Sequence, residues 1–166
     1  MLHAHGLTLY ELADLQGTVP PPESVHLRQI ATWAVDFLNA PHDELGRSGS
    51  VCPYTAPSMA SNSFLLAWAG DKDARSIEST VDRYRQWFME LENLGGKRAR
   101  LLTIVVVLPN FDRMDSAPLD TLQRRLKDAF VDEGLMVGQF HPHSAEPGLW
   151  NEHFRPLRAP IPDPPK

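Results

Sequence analysis

The stretch that most constrains the fold is Arg100 to Leu108, which reads Arg-Leu-Leu-Thr-Ile-Val-Val-Val-Leu. It is β-branched and apolar on both alternating faces, the pattern of a central strand covered from both sides. Pro109 stops it. Such a strand needs helices above and below, and the chain supplies them. From Pro22 to Asn39 the apolar residues Leu27, Ile30, Ala31, Ala34, Phe37 and Leu38 recur at helical spacing, with proline tolerated in the first turn and Pro41 closing the far end. Ser63 to Gly70 is a short apolar strand. A second helical pattern follows Asp71–Asp73 at Ile77, Val81, Tyr84, Phe88 and Leu91, and Gly95-Gly96 terminates it. Ser116 is placed to cap a third helix with an apolar stripe at Leu119, Leu122, Leu126, Ala129 and Phe130, stopped by Gly134. The apolar segment from Leu135 then supplies a third strand.

The order α, β, α, β, α, β predicts an α/β fold: a single compact domain with three main helices and a mixed sheet of three or more strands. Residues 1 to 21 read as an N-terminal arm and residues 155 to 166 as a Pro-rich, extended C-terminal tail. Residues 40 to 62 are rich in Gly, Ser, Pro and Asn and carry no period, so they read as a long loop, a place where functional groups concentrate. At 166 residues and 42% hydrophobic content the chain is long enough for one core.

Charge and hydropathy exclude several classes. Asp and Glu outnumber Lys and Arg by 21 to 16, for a net charge of −5, which argues against a phosphate-neutralising nucleic-acid face. The longest apolar run is far shorter than a bilayer span, and residues 1 to 20 lack a basic start followed by a continuous apolar core, so a cytoplasmic protein without a membrane partner is expected. Cys52 is the single cysteine and cannot form an intramolecular disulfide. No Gly-x-Gly-x-x-Gly, Walker-type loop or Gly-x-Ser-x-Gly elbow is present, leaving dinucleotide, P-loop and α/β-hydrolase chemistry unsupported.

The chemistry-bearing stretch is Leu135 to His143, Leu-Met-Val-Gly-Gln-Phe-His-Pro-His, where an apolar strand runs into two histidines on either side of Pro142. Alternation along an extended chain would point His141 and His143 the same way. His141 is the stronger candidate because it ends the buried strand. Paired with Cys52 it makes a minimal catalytic couple, since a histidine within hydrogen-bond reach favours the thiolate; alternatively, Cys52 is a small buried hydrophobe. His141 and His143, with His153 and Glu146 or Glu152, could instead furnish N and O ligands to a metal, and a Cys-Pro dipeptide or histidine could ligate haem iron. Arg155 and Arg158 offer guanidinium forks for an anion, or structural ion pairs. Trp150 could wall the same region, although packing of the C-terminal segment is its simpler use.

At Cys52-Pro53-Tyr54, Thr103 to Pro109, Gly138-Gln-Phe-His-Pro142 and Arg155-Pro-Leu-Arg-Ala-Pro-Ile-Pro162, the order and spacing resemble a group of uncharacterised bacterial domains. These carry Cys-Pro-aromatic, Phe-His-Pro and Arg-Ser/Ala-Pro motifs, and the resemblance covers most of residues 27 to 162. An association with natural-product gene neighbourhoods implies small-molecule biosynthesis. The resemblance also implies a strand after Pro-Ile-Pro, where this chain reads Asp-Pro-Pro-Lys; a missing edge strand would favour pairing with a partner.

Together these residues lead to an expected biosynthetic or tailoring enzyme acting on an anionic metabolite. His141 would be the acid/base, Cys52 the nucleophile or ligand, and Arg155, Arg158, Trp150 and Tyr54 the substrate contacts. The alternatives are a non-catalytic accessory subunit that binds a partner enzyme or a second copy of itself, and a metal- or haem-binding protein. No cofactor is identified by the sequence.

Overall fold

In a computed structural model describing residues 1–17, 21–96, 99–111 and 115–159, the centre is a parallel pair of strands. Strand β3 (Phe64–Trp68) lies beside β4 (Thr103–Val107), with Phe64 opposite Thr103 and Trp68 opposite Val107. Parallel neighbours require a crossover, supplied here by helix α3 (Ala74–Asn93). Its start is fixed by Asp73, whose carboxylate accepts from Arg75 N at 3.1 Å and Ser76 N at 3.0 Å.

Alternation along β3 sends side chains into two cores. Phe64 and Leu66 join Leu27, Ile30, Ala34 and Leu38 of the first helical segment, while Leu65 and Ala67 meet Tyr84 and Trp87 of α3. Helix α1 (Ser24–Trp33) thus covers one face and α3 the other. The helix extends from α1 through one wide π turn at Ala34–Leu38, which carries the helical pattern to its expected end.

Residues 1 to 17, expected as an arm, are built into the fold. Strands β1 (Leu2–Ala4) and β2 (Leu7–Leu9) form an antiparallel hairpin, and Tyr10 bridges onto Leu66 of β3 through reciprocal backbone bonds of 2.8 and 2.9 Å. Leu9 and Leu15 are fully buried. The loop at 40 to 62 is also more structured than its composition suggests, holding a 3₁₀ turn at Asp43–Leu45 and the short helix α2 (Thr55–Ala60).

Helix α4 (Ala117–Asp132) lies beside α3, tied to it by the ion pairs Arg85–Glu133 and Arg125–Glu78. Ser116 does not cap it through its side chain; Asp115 Oδ1 instead accepts from Ala117 N at 3.1 Å. Gly134, at φ 75°, ends it as expected: Gly134 N donates to Val131 O and Leu135 N to Phe130 O, the paired bonds of a Schellman turn.

Among the described residues each sheet has two strands, and the expected sheet of three or more strands is not seen. Residues 135 to 140 join no ladder among the described residues; α4 takes two of their backbone groups, Leu135 N donating to Phe130 O and Val137 O accepting from Gln123 Nε2 at 3.1 Å, and Asp120 holds the Gln139 side chain. Among the described residues β4 therefore pairs with β3 alone, and Thr103 to Val106 stay half-buried rather than fully covered on both faces. Among the described residues no helix is long and apolar enough to cross a membrane. Residues 160 to 166 of the Pro-rich tail, and 18 to 20 of the expected arm, lie outside the described residues.

Candidate functional site

Because the 135–140 segment does not close against β4, the space between them is a cavity of ≈ 680 Å³ with a predominantly apolar lining. Its floor is β4, and Leu122, Leu126 and Phe130 of α4 form one wall. Such a volume lies within the range of small-molecule and cofactor pockets. Functional groups gather where β3 and β4 end: Trp68 closes β3, Val107 closes β4, Asp120 is in the first turn of α4, and His141 follows the 135–140 segment. Binding at the carboxyl ends of parallel strands is the general habit of open α/β sheets, since the loops that follow the strands converge there.

His141 is only 7% exposed and lines the cavity. Its Nε2 is 2.8 Å from Asp120 Oδ1, which also accepts from Gln139 Nε2 at 2.9 Å. Burial opposes ionisation of Asp120, but the hydrogen bonds from His141 and Gln139 outweigh it and hold the carboxyl below its ordinary value. An ionised carboxylate can only accept, so in neutral imidazole the proton sits on Nε2 and Nδ1 is left as a base with a free lone pair. That Nδ1 is buried and, among the described residues, has no partner. A buried polar atom without a bond costs about 1–3 kcal/mol, so the arrangement favours a group that packs against the ring and supplies the bond.

A second buried histidine lines the same cavity. His26 of α1 is 8% exposed, its Nδ1 also lacks a partner among the described residues, and its ring stacks on Trp68 at 5.4 Å between centroids. Trp33, two turns further along α1, meets Phe140 edge-to-face at 5.2 Å, and both rings line the cavity.

The other sequence-predicted residues lie in different surroundings. Tyr54 lines the cavity but is largely exposed. Cys52 does not line it: its backbone N donates to Leu38 O at 2.8 Å and its side chain packs against the α1 core. His143 points outward, not beside His141, because Ser144 N donates to His141 O at 3.2 Å and the chain turns there instead of continuing as a strand. The expected metal pair His141–His143 is therefore not assembled, and among the described residues no three His, Cys, Asp or Glu side chains gather as a ligand set. Arg158 Nε donates to Ser144 O at 3.1 Å and Arg155 Nη1 to Phe154 O at 3.1 Å, so both guanidinium groups hold backbone carbonyls and neither lines the cavity. Trp150 is 68% exposed, and its segment docks on the Asp43–Leu45 turn through Asn151 Nδ2 to Glu44 O at 2.7 Å.

Asp120, Gln139 and His26 were not singled out by the sequence reasoning. The available signals were weak: His26, Ile30 and Trp33 at i, i+4 and i+7 on one helical face, and an acidic residue in the first turn of α4.

A family model described as "Domain of unknown function (DUF6875)" matches residues 27–162. Comparison with curated proteins and with solved structures gave no match.

Proposed function

The chain belongs to the DUF6875 family of domains of unknown function, and from that premise we propose that it is a small-molecule tailoring enzyme. Its substrate is largely apolar, and His141 moves a proton. The observation that carries this reading is the Asp120–His141 hydrogen bond at the rim of an apolar cavity, with Nδ1 of the same imidazole unshared. His141 Nδ1 would take a proton from a carbon or oxygen acid packed against the ring. Asp120 would keep Nε2–H in place and offset the charge of the imidazolium that results. The mainly apolar walls favour a substrate with little charge, in place of the anionic metabolite expected from Arg155 and Arg158. With Cys52 outside the cavity lining, the reaction rests on acid/base transfer rather than on a thiolate.

Solvent-deuterium exchange into a benzo-fused ketone such as 2-tetralone tests this, because any positioned base that reaches the α-carbon catalyses it. The wild type should accelerate exchange, and His141→Gln should remove about 10²–10⁴-fold of the acceleration, the usual contribution of general acid/base catalysis. Exchange equally fast with His141→Gln would overturn the assignment.

The haem-binding reading keeps one observation in its favour. His26 brings a buried imidazole with an unshared nitrogen to a cavity large enough for a cofactor, and imidazole is a common axial ligand to haem iron. Titration with haemin settles it: a Soret band that shifts in the wild type and not in His26→Ala supports it, and an unshifted spectrum removes it.

A further inference from the structure

We infer that His26 and Trp68 form a recognition element for a planar aromatic ligand carrying a hydrogen-bonding substituent, which defines the substrate class of the proposed enzyme. The inference rests on the cavity being the site. It does not require His141 to be the base.

Two independent observations converge at His26. The first is its buried, unpartnered Nδ1 on a side chain that lines the cavity. An apolar side chain at that position would bury the same area without the cost of an unmade bond, so the nitrogen is explained by a group that arrives with the ligand. The second is the aromatic character of the surrounding wall. Trp68 stacks on His26 at an interplanar angle of 24°, and Trp33 and Phe140 meet at 72° on the same cavity. Aromatic rings packed in these geometries present faces and edges that favour another flat ring over a saturated one.

The spacing sets the size of the ligand. His26, Ile30 and Trp33 lie along one face of α1 and all three line the cavity. Seven residues at ~1.5 Å rise separate His26 from Trp33 by about 10 Å. Trp33 touches Phe140, the neighbour of His141 in sequence. A fused two-ring molecule with a hydroxyl group fills a stripe of this length. Its hydroxyl bonds His26 while its ring system lies along Ile30 and Trp33 toward His141.

The test uses the full chain and three probes: 2-naphthol, naphthalene and decahydro-2-naphthol, followed by tryptophan fluorescence and by histidine NMR. Wild type is expected to bind 2-naphthol with shifts at both the His26 and His141 imidazoles, and to bind the saturated alcohol about three- to tenfold more weakly. His26→Phe keeps a ring against Trp68 and removes the nitrogen, so it should lose at least tenfold for 2-naphthol and nothing for naphthalene. His26→Asn removes the ring and keeps a polar group near the Nδ1 position, so it should retain a preference for 2-naphthol over naphthalene. It also keeps the question answerable if the phenylalanine variant does not fold. Equal 2-naphthol affinity in the wild type and a folded His26 variant lacking the nitrogen overturns the inference, as does equal affinity for the aromatic and saturated alcohols. Binding as expected without any deuterium exchange would support this assignment and sink only the proton-transfer reading. Intact exchange with His26-independent binding would do the reverse.

Discussion

Asp120 Oδ1 lies 2.8 Å from His141 Nε2, joining the first turn of α4 to the end of the segment that α4 itself leads into, 21 residues later. The same carboxylate takes Gln139, so a single side chain fixes both the position of the 135–141 segment and the tautomer of its histidine. The segment passes under the tip of α4 and leaves the cavity against β4.

Asp120→Asn should lower stability at neutral pH by about 1–2 kcal/mol, the range for hydrogen bonds to a charged acceptor discounted for partial exposure. The sign with pH follows from the depressed folded value of the carboxyl. Its contribution is complete above the unfolded value near 3.9 and fades as pH falls through the lower folded value. Urea titrations of wild type and variant should therefore differ at pH 7 and converge in strong acid. A difference that grows below pH 4 would contradict the pairing.

Tyr84 should behave oppositely in alkali. Burial pushes its phenol up to about 12, and its hydroxyl donates to Thr8 O at 3.2 Å, pinning the hairpin to α3. The unfolded chain loses this proton near pH 10 while the folded chain keeps it, so stability contributed here is full below pH 10 and is lost between 10 and about 12. Tyr84→Phe should flatten the alkaline limb of the stability profile, measured by urea midpoints between pH 9 and 11.

Gly46 holds φ 78°, and a Cβ there would stand 2.7 Å from Trp150 O. Gly46→Ala should cost about 2 kcal/mol or more, combining backbone strain with displacement of the C-terminal segment. Gly134, at φ 75° with nothing near a built Cβ, should cost only about 1 kcal/mol when changed to alanine. Equal losses in thermal unfolding would mean that the Trp150 segment does not sit on the Asp43–Leu45 turn.

Filling the cavity should abolish apolar binding without unfolding the chain. Leu126 lines it from α4 and is half-buried, so Leu126→Trp should reduce binding of the dye 8-anilinonaphthalene-1-sulfonate by tenfold or more while leaving far-ultraviolet circular dichroism unchanged. Undiminished dye binding would place the ligand surface elsewhere.

Much of this architecture was legible from side-chain period. Strands β3 and β4, helices α1, α3 and α4, and the Gly134 stop all follow from patterns that local spacing enforces. The missing ladder was not legible, because Leu135 to Phe140 has a strand's composition. Its placement depends on side chains of another element: Gln123, which takes the Val137 carbonyl, and Asp120, which takes the Gln139 side chain. The same holds for the site. His141 was visible as the end of an apolar run, and the turn at Ser144 that sends His143 outward was not. Asp120 and His26 are ordinary helix residues in one dimension; only packing gives one a histidine and the other a tryptophan partner.

Asp120 accepts from His141 Nε2–H and so leaves Nδ1 unprotonated on a ring that lines the cavity. A long-range proton–nitrogen correlation spectrum of the His141 imidazole at neutral pH tests it directly. The wild type should show a protonated, pyrrole-like Nε2 and an unprotonated, pyridine-like Nδ1, with the two forms averaging in Asp120→Ala. A protonated Nδ1, or a spectrum indifferent to the loss of Asp120, would contradict it.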